Sequence, residues 1–419
     1  MALADLVSQT WADLRGLNAR QRNAVIASYL GWTLDAFDYF LMVFVLKDIA
    51  AEFHTDVTAV SLALVLTLAA RPIGALLFGY AADRYGRRPT LMVDILCYSA
   101  IELASGFAPS LTALLILRTL YGIAMGGEWG VGASLTMETI PPRTRGIVSG
   151  LLQAGYPSGY LIASIIYAVL FTTIGWRGMF FVGAAPALLV LYIRSKVDES
   201  PAFQARREPM NLGLLWRTIR SHMGLFIFTI FMMTAFNFFS HGTQDLYPTF
   251  LQVQRHLDPQ TVGAIAVVYN IGAILGGLAF GALSERIGRR NGIVIASLLA
   301  LPLIPLWAYG PGPVWLAIGA FFMQVAVQGA WGIVPAHLNE LSPEEVRGTF
   351  PGFTYQLGNL LASGNATLQA WIAESHGNDY AFALAIVAGV VAVCVAVLAW
   401  FGTEARGVSF AGARPHPAE

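Results

Sequence analysis

Long apolar runs alternate with short polar or Pro/Gly-broken connections along almost the whole chain. Twelve runs fall at 23–46, 58–82, 90–107, 110–137, 145–173, 176–194, 221–251, 259–284, 291–309, 313–341, 346–373 and 377–402. Each is close to or above the roughly 20 residues that an α-helix needs to cross the hydrocarbon of a bilayer. The pattern therefore predicts an all-α membrane protein of twelve transmembrane helices. The one long polar stretch, 195–220, falls mid-chain and divides it into a segment 1–22, a six-helix bundle 23–194, a linker 195–220, a second six-helix bundle 221–402 and a tail 403–419. Residues 1–22 are mixed polar and lack the short apolar core of a cleavable leader, so the first run is expected to remain as a span.

Composition agrees with this and narrows the function. Of 419 residues, 56% are apolar and 12% charged, against about 25% charged in soluble domains; the mean hydropathy is +0.61. A soluble enzyme and a disulfide scaffold are excluded. Lys+Arg 25 against Asp+Glu 25 leaves no basic surplus for nucleic acid. Cys97 and Cys394 lie in apolar runs without metal-ligand spacing, so neither metal nor cofactor is expected. There is no Gly-x-x-x-x-Gly-Lys-[Ser/Thr] loop, and 195–220 is too short for a nucleotide-binding domain, which argues against an ATP-driven pump. With the N-terminus in the cytoplasm, Lys47, Arg177 and Arg255 fall outside, Arg71 and Arg118 fall within spans, and the other 20 cations fall inside. That asymmetry predicts a multi-pass protein of the plasma membrane, in bacteria the inner membrane, with both termini cytoplasmic.

The two halves repeat. GYAADRYGRR at 79–88 returns as GALSERIGRR at 281–290, and ETIPPRTRG from Glu138 returns as ELSPEEVRG from Glu340, both at an offset of 202. Such duplication is common in transporters. Gly79-x-x-x-Asp83-Arg84-x-Gly86-Arg87-Arg88 resembles the loop 2–3 signature of the major facilitator superfamily. Its second copy carries Glu285, Arg286, Arg289 and Arg290, with Glu in place of Asp. The resemblance covers essentially the whole chain and implies two pseudo-symmetric six-helix bundles working by alternating access. Carboxylates among arginines at helix ends are expected to pair across the bundles when the cytoplasmic side is closed. The candidate gate is thus Asp83, Arg84, Arg87, Arg88, Glu138 and Arg145 with Glu285, Arg286, Arg289, Arg290, Glu340 and Arg347. Positive-inside anchoring is the plainer alternative.

Charge within the bilayer costs roughly 2.5–3.5 kcal/mol per residue even on insertion scales, so Asp35, Asp38, Arg71, Asp94, Glu102, Arg118, Glu128, His241 and Asp245 each need a partner or a water-filled cavity. In the seventh run, Asn237, Ser240, His241, Gln244 and Asp245 share one helix face, which must turn inward. Asn237-x-x-Ser240-His241-x-Thr243-Gln244-Asp245-x-x-x-Thr249 resembles the span-7 signature of fungal lactate/pyruvate:proton permeases, within the sialate:proton symporter family. The resemblance implies proton-coupled symport of short monocarboxylates such as lactate and pyruvate. Arg71 resembles the span-2 arginine tied to substrate recognition there, and Gln356-x-x-Asn359 resembles the substrate-lining pair. A buried guanidinium also suits a carboxylate on chemical grounds.

The substrate-binding candidates are accordingly Arg71, Asn237, His241, Gln244, Gln356 and Asn359, with Tyr156 and Ser158 beside Pro157. The proton-coupling candidates are Asp245 first, then Asp38, Glu102, Arg118, Asp35 and Glu128. Ion pairing of Arg71 with Asp35 or Asp38, and of Arg118 with Glu102 or Glu128, is the structural alternative. Glycines at Gly122 and Gly126 allow close helix approach. Asp94 reads as a group near the cytoplasmic end, at the gate or surface. The expected partners are a small organic anion, a proton and the lipid bilayer, with no nucleic acid, for a monomeric transporter. Symport of an aromatic or sugar acid on the same fold is the other reading.

Overall fold

The computed structural model describes residues 3–206 and 210–410, with side chains from residue 8 onward. Residues 1–2 of the expected N-terminal segment, 207–209 of the linker and 411–419 of the tail lie outside the described residues. The spans are α1 (Ala19–Phe44), α2 (Val57–Tyr85), α3 (Arg87–Ser105), α4 (Leu111–Thr139), α5 (145–174), α6 (176–196), α7 (Met223–Val253), α8 (Pro259–Ile287), α9 (Arg289–Tyr309), α10 (Pro313–Leu341), α11 (350–375) and α12 (Tyr380–Phe401). Among the described residues there is no β-strand.

Among the described residues, eight helical stretches are long and apolar enough to cross a membrane by length and composition alone. One of them, Pro142–Lys196, reverses at Gly175 (φ 62°) and makes both α5 and α6. The other crossings, α1, α3 and α11, carry acids or polar breaks that lower their hydropathy. The spans α4, α5, α7, α10 and α11 are each interrupted, near Gly126, Ala154, Asp245, Gly332 and Ser363 respectively. The linker is not simply polar chain: it contains the short helices Pro201–Gln204 and Leu212–Ser221.

Packing repeats as the sequence does. In the first half α1 packs on α5, α2 on α4, and α3 on α4 and α6; in the second α7 packs on α11, α8 on α10, and α9 on α10 and α12. Lipid supplies no hydrophobic drive between helices, so small residues set the approach. A Cβ on Gly122 would collide with the Thr67 carbonyl oxygen and stand 2.8 Å from Thr67 Cα, and one on Gly126 would collide with the Arg71 carbonyl oxygen. In the second half a Cβ on Gly276 would lie 2.6 Å from Val325 Cα. Gly86 (φ 111°) and Gly288 (φ 95°) turn α2 into α3 and α8 into α9 in a backbone region closed to other residues. Outward-facing Val65, Ile73, Ile165, Val169 and Phe231 are all more than half exposed, as a lipid-facing belt requires.

An even number of spans brings Ala19 and Phe401 to one side, here called the terminal face. Near it the halves touch: α5 against α8, α2 against α11, and α4 against α10 and α11. Toward the opposite face they separate around a cavity.

Candidate functional site

The cavity lies between the bundles and has two continuous parts. The inner part, about 70 Å³, is lined by Arg71, Gln153, Tyr156, Asn237, Ser240, His241, Gln244, Asp245, Gln328 and Asn359 among aromatic rings. The wider part, about 560 Å³ and continuous with solvent, reaches Val43, Leu64, Pro248, Tyr269 and Ser363 near the opposite face. The structure is therefore open away from the terminal face and closed toward it.

Arg71 sits on α2 just before Pro72, 4% exposed. Its Nη2 donates to Asp35 Oδ1 at 3.2 Å, while its Nε has no hydrogen-bond partner among the described residues. Asp35, not Asp38, is its ion partner. The guanidinium is thus held through Nη2, by Asp35 and by Met125 Sδ at 2.8 Å, while the residue contributes to the cavity wall.

The α7 stripe faces the cavity as its period requires. His241 Nδ1 is 3.2 Å from Asp245 Oδ1, and His241 Nε2 is 3.1 Å from Asn359 Oδ1. Asp245 is exposed: it stands at the break in α7 and opens onto the cavity rather than into a dry interior. Asn237 donates to its own helix at Met233 O, 2.8 Å away. Two α10 amides that the sequence reading passed over brace the stripe, and one of them, Gln328, also lines the cavity. Gln324 Oε1 accepts from Gln244 at 2.8 Å, and Gln328 donates to Ser240 at 3.1 Å. Their i, i+4 spacing on an apolar span was the signal available.

Tyr156 and Asn359 line the cavity; Gln356 and Ser158 do not. Gln356 is 1% exposed, and its amide atoms have no hydrogen-bond partner among the described residues. Three residues along a helix leave it about 60° around from Asn359, and here that suffices to turn it into the packing. Ser158 is occupied by Tyr29 Oη, at 3.0 Å, and Ala154 O. Aromatic groups form much of the remaining wall: Trp32 lies 5.7 Å from Tyr156 and Trp331 5.5 Å from Tyr355, centroid to centroid.

Deeper in the first bundle, Arg118 pairs with Glu102 at 2.6 Å and donates to Ser105 at 2.7 Å. This locks α3 to α4 away from the cavity and settles the choice against Glu128. Asp38, Glu128 and Asp94 are fully buried without an ion pair among the described residues. Asp94 is therefore neither at the gate nor on the surface, because its side of α3 faces the bundle interior.

The terminal face is closed by a lattice with the 202-residue symmetry. Asp83 accepts from Gly348 N (2.8 Å), Thr349 N (2.9 Å) and Thr349 Oγ1 (2.7 Å) at the start of α11. Its counterpart Glu285 accepts from Gly146 N at the start of α5. Arg87 makes a fork to Glu138 (2.9 and 3.1 Å), and Arg289 makes the same fork to Glu340 (2.9 and 3.0 Å). Arg145 reaches Glu340 across the bundles at 3.6 Å, and Arg347 reaches Glu138 at 3.7 Å. Phe410 of the tail is 5% exposed, with the Arg145 and Arg347 guanidiniums 3.6 and 4.1 Å from its ring centre.

The other four gate candidates stay outside this lattice. Arg84 is exposed and bonds Tyr80; Arg88 and Arg290 hold carbonyls at the ends of α6 and α12; Arg286 bonds Gln9. Each follows directly on a lattice residue, so it points roughly 100° away around the helix. In the linker, Glu199 accepts from Arg87 N and Arg88 N, and burial pushes its carboxyl above the usual range.

Residues 25–258 and 246–417 each match the Major Facilitator Superfamily. The chain is 28% identical to a carboxylic acid transporter protein homolog of Saccharomyces cerevisiae, over 94% of this chain and 70% of that one. It is 27% identical to the sialic acid transporter NanX of Escherichia coli, over 86% and 89% of the two chains. A probable 4-methylmuconolactone transporter of Cupriavidus pinatubonensis is 29% identical, over 83% and 82%. Among solved structures, the proton:xylose symporter XylE superposes with a TM-score of 0.73 at 19% identity, covering 93% of this chain and 97% of that one, a likeness of fold.

Proposed function

The chain belongs to the Major Facilitator Superfamily, a family of membrane transporters and not of enzymes, and we propose that it carries short monocarboxylates such as lactate and pyruvate into the cell together with a proton. The observation that carries this reading is Arg71, a fixed cation in the wall of the cavity between the bundles. A guanidinium edge matches the two oxygens of a carboxylate. Asn359, Gln244 and Gln328 surround it with donors and acceptors for the neighbouring hydroxyl or keto oxygen. The likeness to the yeast carboxylic acid transporter homolog supports an acid as cargo.

The cationic asymmetry of the loops supports a terminal face in the cytoplasm of a plasma-membrane protein, and in this reading the open cavity faces outward. A monocarboxylate moving inward alone opposes an inside-negative potential, at about 2.3 kcal/mol per charge per 100 mV. One proton cancels that charge. Asp245, in contact with His241 and open to the cavity, is the acid placed to receive it. Closure of the bundles over the cargo dries that site and favours the neutral acid, and hydration on opening inward favours release. The transporter acts as a monomer in this reading.

The aromatic wall formed by Trp32, Tyr156, Trp331 and Tyr355 favours a second reading, an aromatic acid on the same arginine. Uptake of labelled lactate, pyruvate, acetate and benzoate into proteoliposomes under an imposed inward proton gradient decides between them. Lactate and pyruvate are expected to accumulate with external alkalinisation and little current. Accumulation of benzoate alone would select the aromatic reading, and accumulation of none would end both.

A further inference from the structure

The linker helix Leu212–Ser221 lines no part of the cavity and joins none of the ion pairs of the lattice. Asn211 caps it, the side chain accepting from Leu214 N, and it runs through His222 straight into α7. One face is packed. Leu215 is buried in a cluster with Met210, Phe226, Leu341, Val346 and Phe350, over the turn Glu344–Val346 that leads to α11. The other face is open. Leu212, Trp216 and Arg220 follow one another along it at i, i+4 and i+8, and Arg217 stands about 100° round from Trp216. Leu212 is 69% exposed and Trp216 59%.

Two observations identify what covers this open face. The apolar row leads into the lipid-facing row of α7, where Met223, Ile227 and Phe231 are all exposed at four-residue intervals. An indole at the boundary of hydrocarbon and water suits both its rings and its N–H. The second observation is charge. Arg217 and Arg220 are exposed, and their side chains form no ion pair or hydrogen bond with Glu344, Glu345 or any other described residue. The helix that precedes α1, Leu3–Arg15, differs in this respect. It also exposes Trp11, but the Arg15 guanidinium lies over that ring and Asp13 pairs with Arg143. Free cations beside an interfacial tryptophan are complementary to headgroups of net negative charge.

We propose that the open face of Leu212–Ser221 is a docking surface for anionic phospholipid in the leaflet at the terminal face. Leu212 and Trp216 lie at the level where headgroups meet acyl chains, and Arg217 and Arg220 hold the headgroup phosphates. The occupant is lipid and not a second copy of the chain, because the apolar row is continuous with the surface of α7 that the bilayer covers. The surface is remote from the cavity and is independent of the cargo and of proton coupling.

The test uses the full chain with Cys97→Ser, Cys394→Ser and Gly213→Cys, the last carrying a bimane fluorophore on the open face. A Cβ at Gly213 meets only the Asn211 side chain, at 3.1 Å. The protein is reconstituted in phosphatidylcholine vesicles containing the same small fraction of nitroxide-labelled phosphatidylglycerol or of nitroxide-labelled phosphatidylcholine. Both lipids should quench the fluorophore. The phosphatidylglycerol should associate more strongly, by about fivefold for each arginine, and added salt should shrink that preference. Arg217→Gln with Arg220→Gln should make the two lipids equal while quenching by phosphatidylcholine persists, since Leu212 and Trp216 remain. Equal quenching by both lipids in the parent chain overturns the proposal, as does a preference that survives the double substitution. Quenching by neither lipid also overturns it and leaves the face to water or to another copy. The salt series needs only the parent chain, so it decides the matter if the double variant does not fold: a preference unmoved by salt is not electrostatic docking.

Discussion

The two bundles share a scaffold and a gate but differ in what they bury. The first holds Asp35, Asp38, Asp94, Glu102 and Glu128 against Arg71 and Arg118. At the same offset of 202 the second has Asn237, Ser240, Ala296, Ile304 and Ala330, with Ala273 and Ala320 for the arginines. The gate residues, by contrast, keep their charge in both copies. Duplication thus preserved the surfaces that must meet each other, and the interiors diverged. One became a charged frame that positions a cation, and the other a neutral wall of amides around the stripe of α7. Hydrogen bonding by amides is satisfied without counter-ions, so the second bundle can line a cavity at lower cost than the first.

The contrast is broken most severely at Arg71. Arg71→Lys keeps the charge but loses the fork, and should weaken carboxylate binding by about 1.5–3 kcal/mol, the range of charge-assisted hydrogen bonds. Isothermal titration with lactate reads this directly, and an unchanged affinity would remove Arg71 from recognition. The gate copies come next. Asp83 is fully buried with three donors, whereas the Glu285 side chain is 17% exposed. Asp83→Asn should therefore open the terminal face more than Glu285→Gln does, by about 1–3 kcal/mol of lost hydrogen bonding. Cysteine labelling from that face measures both, and equal effects would mean that burial does not rank the copies.

Loss of the Phe410 ring is a smaller test. Phe410→Ala uncovers Arg145 and Arg347 together and should weaken closure by about 0.5–2 kcal/mol, the range of cation–π contacts. A tail that only drapes over the surface would leave labelling unchanged. Removing the α10 amides sharpens the view of the second bundle. Gln328→Ala should cost about 0.5–1.5 kcal/mol of lactate affinity, and less for acetate, which lacks the second oxygen.

The smallest effect lies at the opposite face. Hydrogen bonds from Arg177 hold the Glu52 carboxyl below its usual range. Its contribution to stability is present above the unfolded-state value and is lost as pH falls through the lowered folded value. Both side chains are about a third exposed or more, so the effect is slight. The thermal midpoint should fall a little less on acidification in Arg177→Met than in the parent.

How much was legible in advance differs by level. Twelve spans, two halves and the inward face of α7 follow from hydropathy and period, because a helix needs a set apolar length to cross lipid and a single polar stripe has one place to go. The 202-residue offset paired Asp83 with Glu285 and Glu138 with Glu340 before any geometry. Period also limited what could be read. It placed Gln356 beside Asn359 and Arg84 beside Asp83, yet a rotation of 60–100° separates lining from packing and lattice from surface.

What the sequence by itself determined is therefore which residues share a helix face, and that the halves repeat. Only the tertiary structure decided which faces meet. It chose Asp35 over Asp38 for Arg71, Glu102 over Glu128 for Arg118, and set Gln324 and Gln328 opposite the α7 stripe. It also left Asp245 open to the cavity and buried Asp94. The physical reason is that partner choice depends on helix rotation and on glycine-to-backbone approach between distant segments, and these are properties of pairs of helices that no single helix encodes.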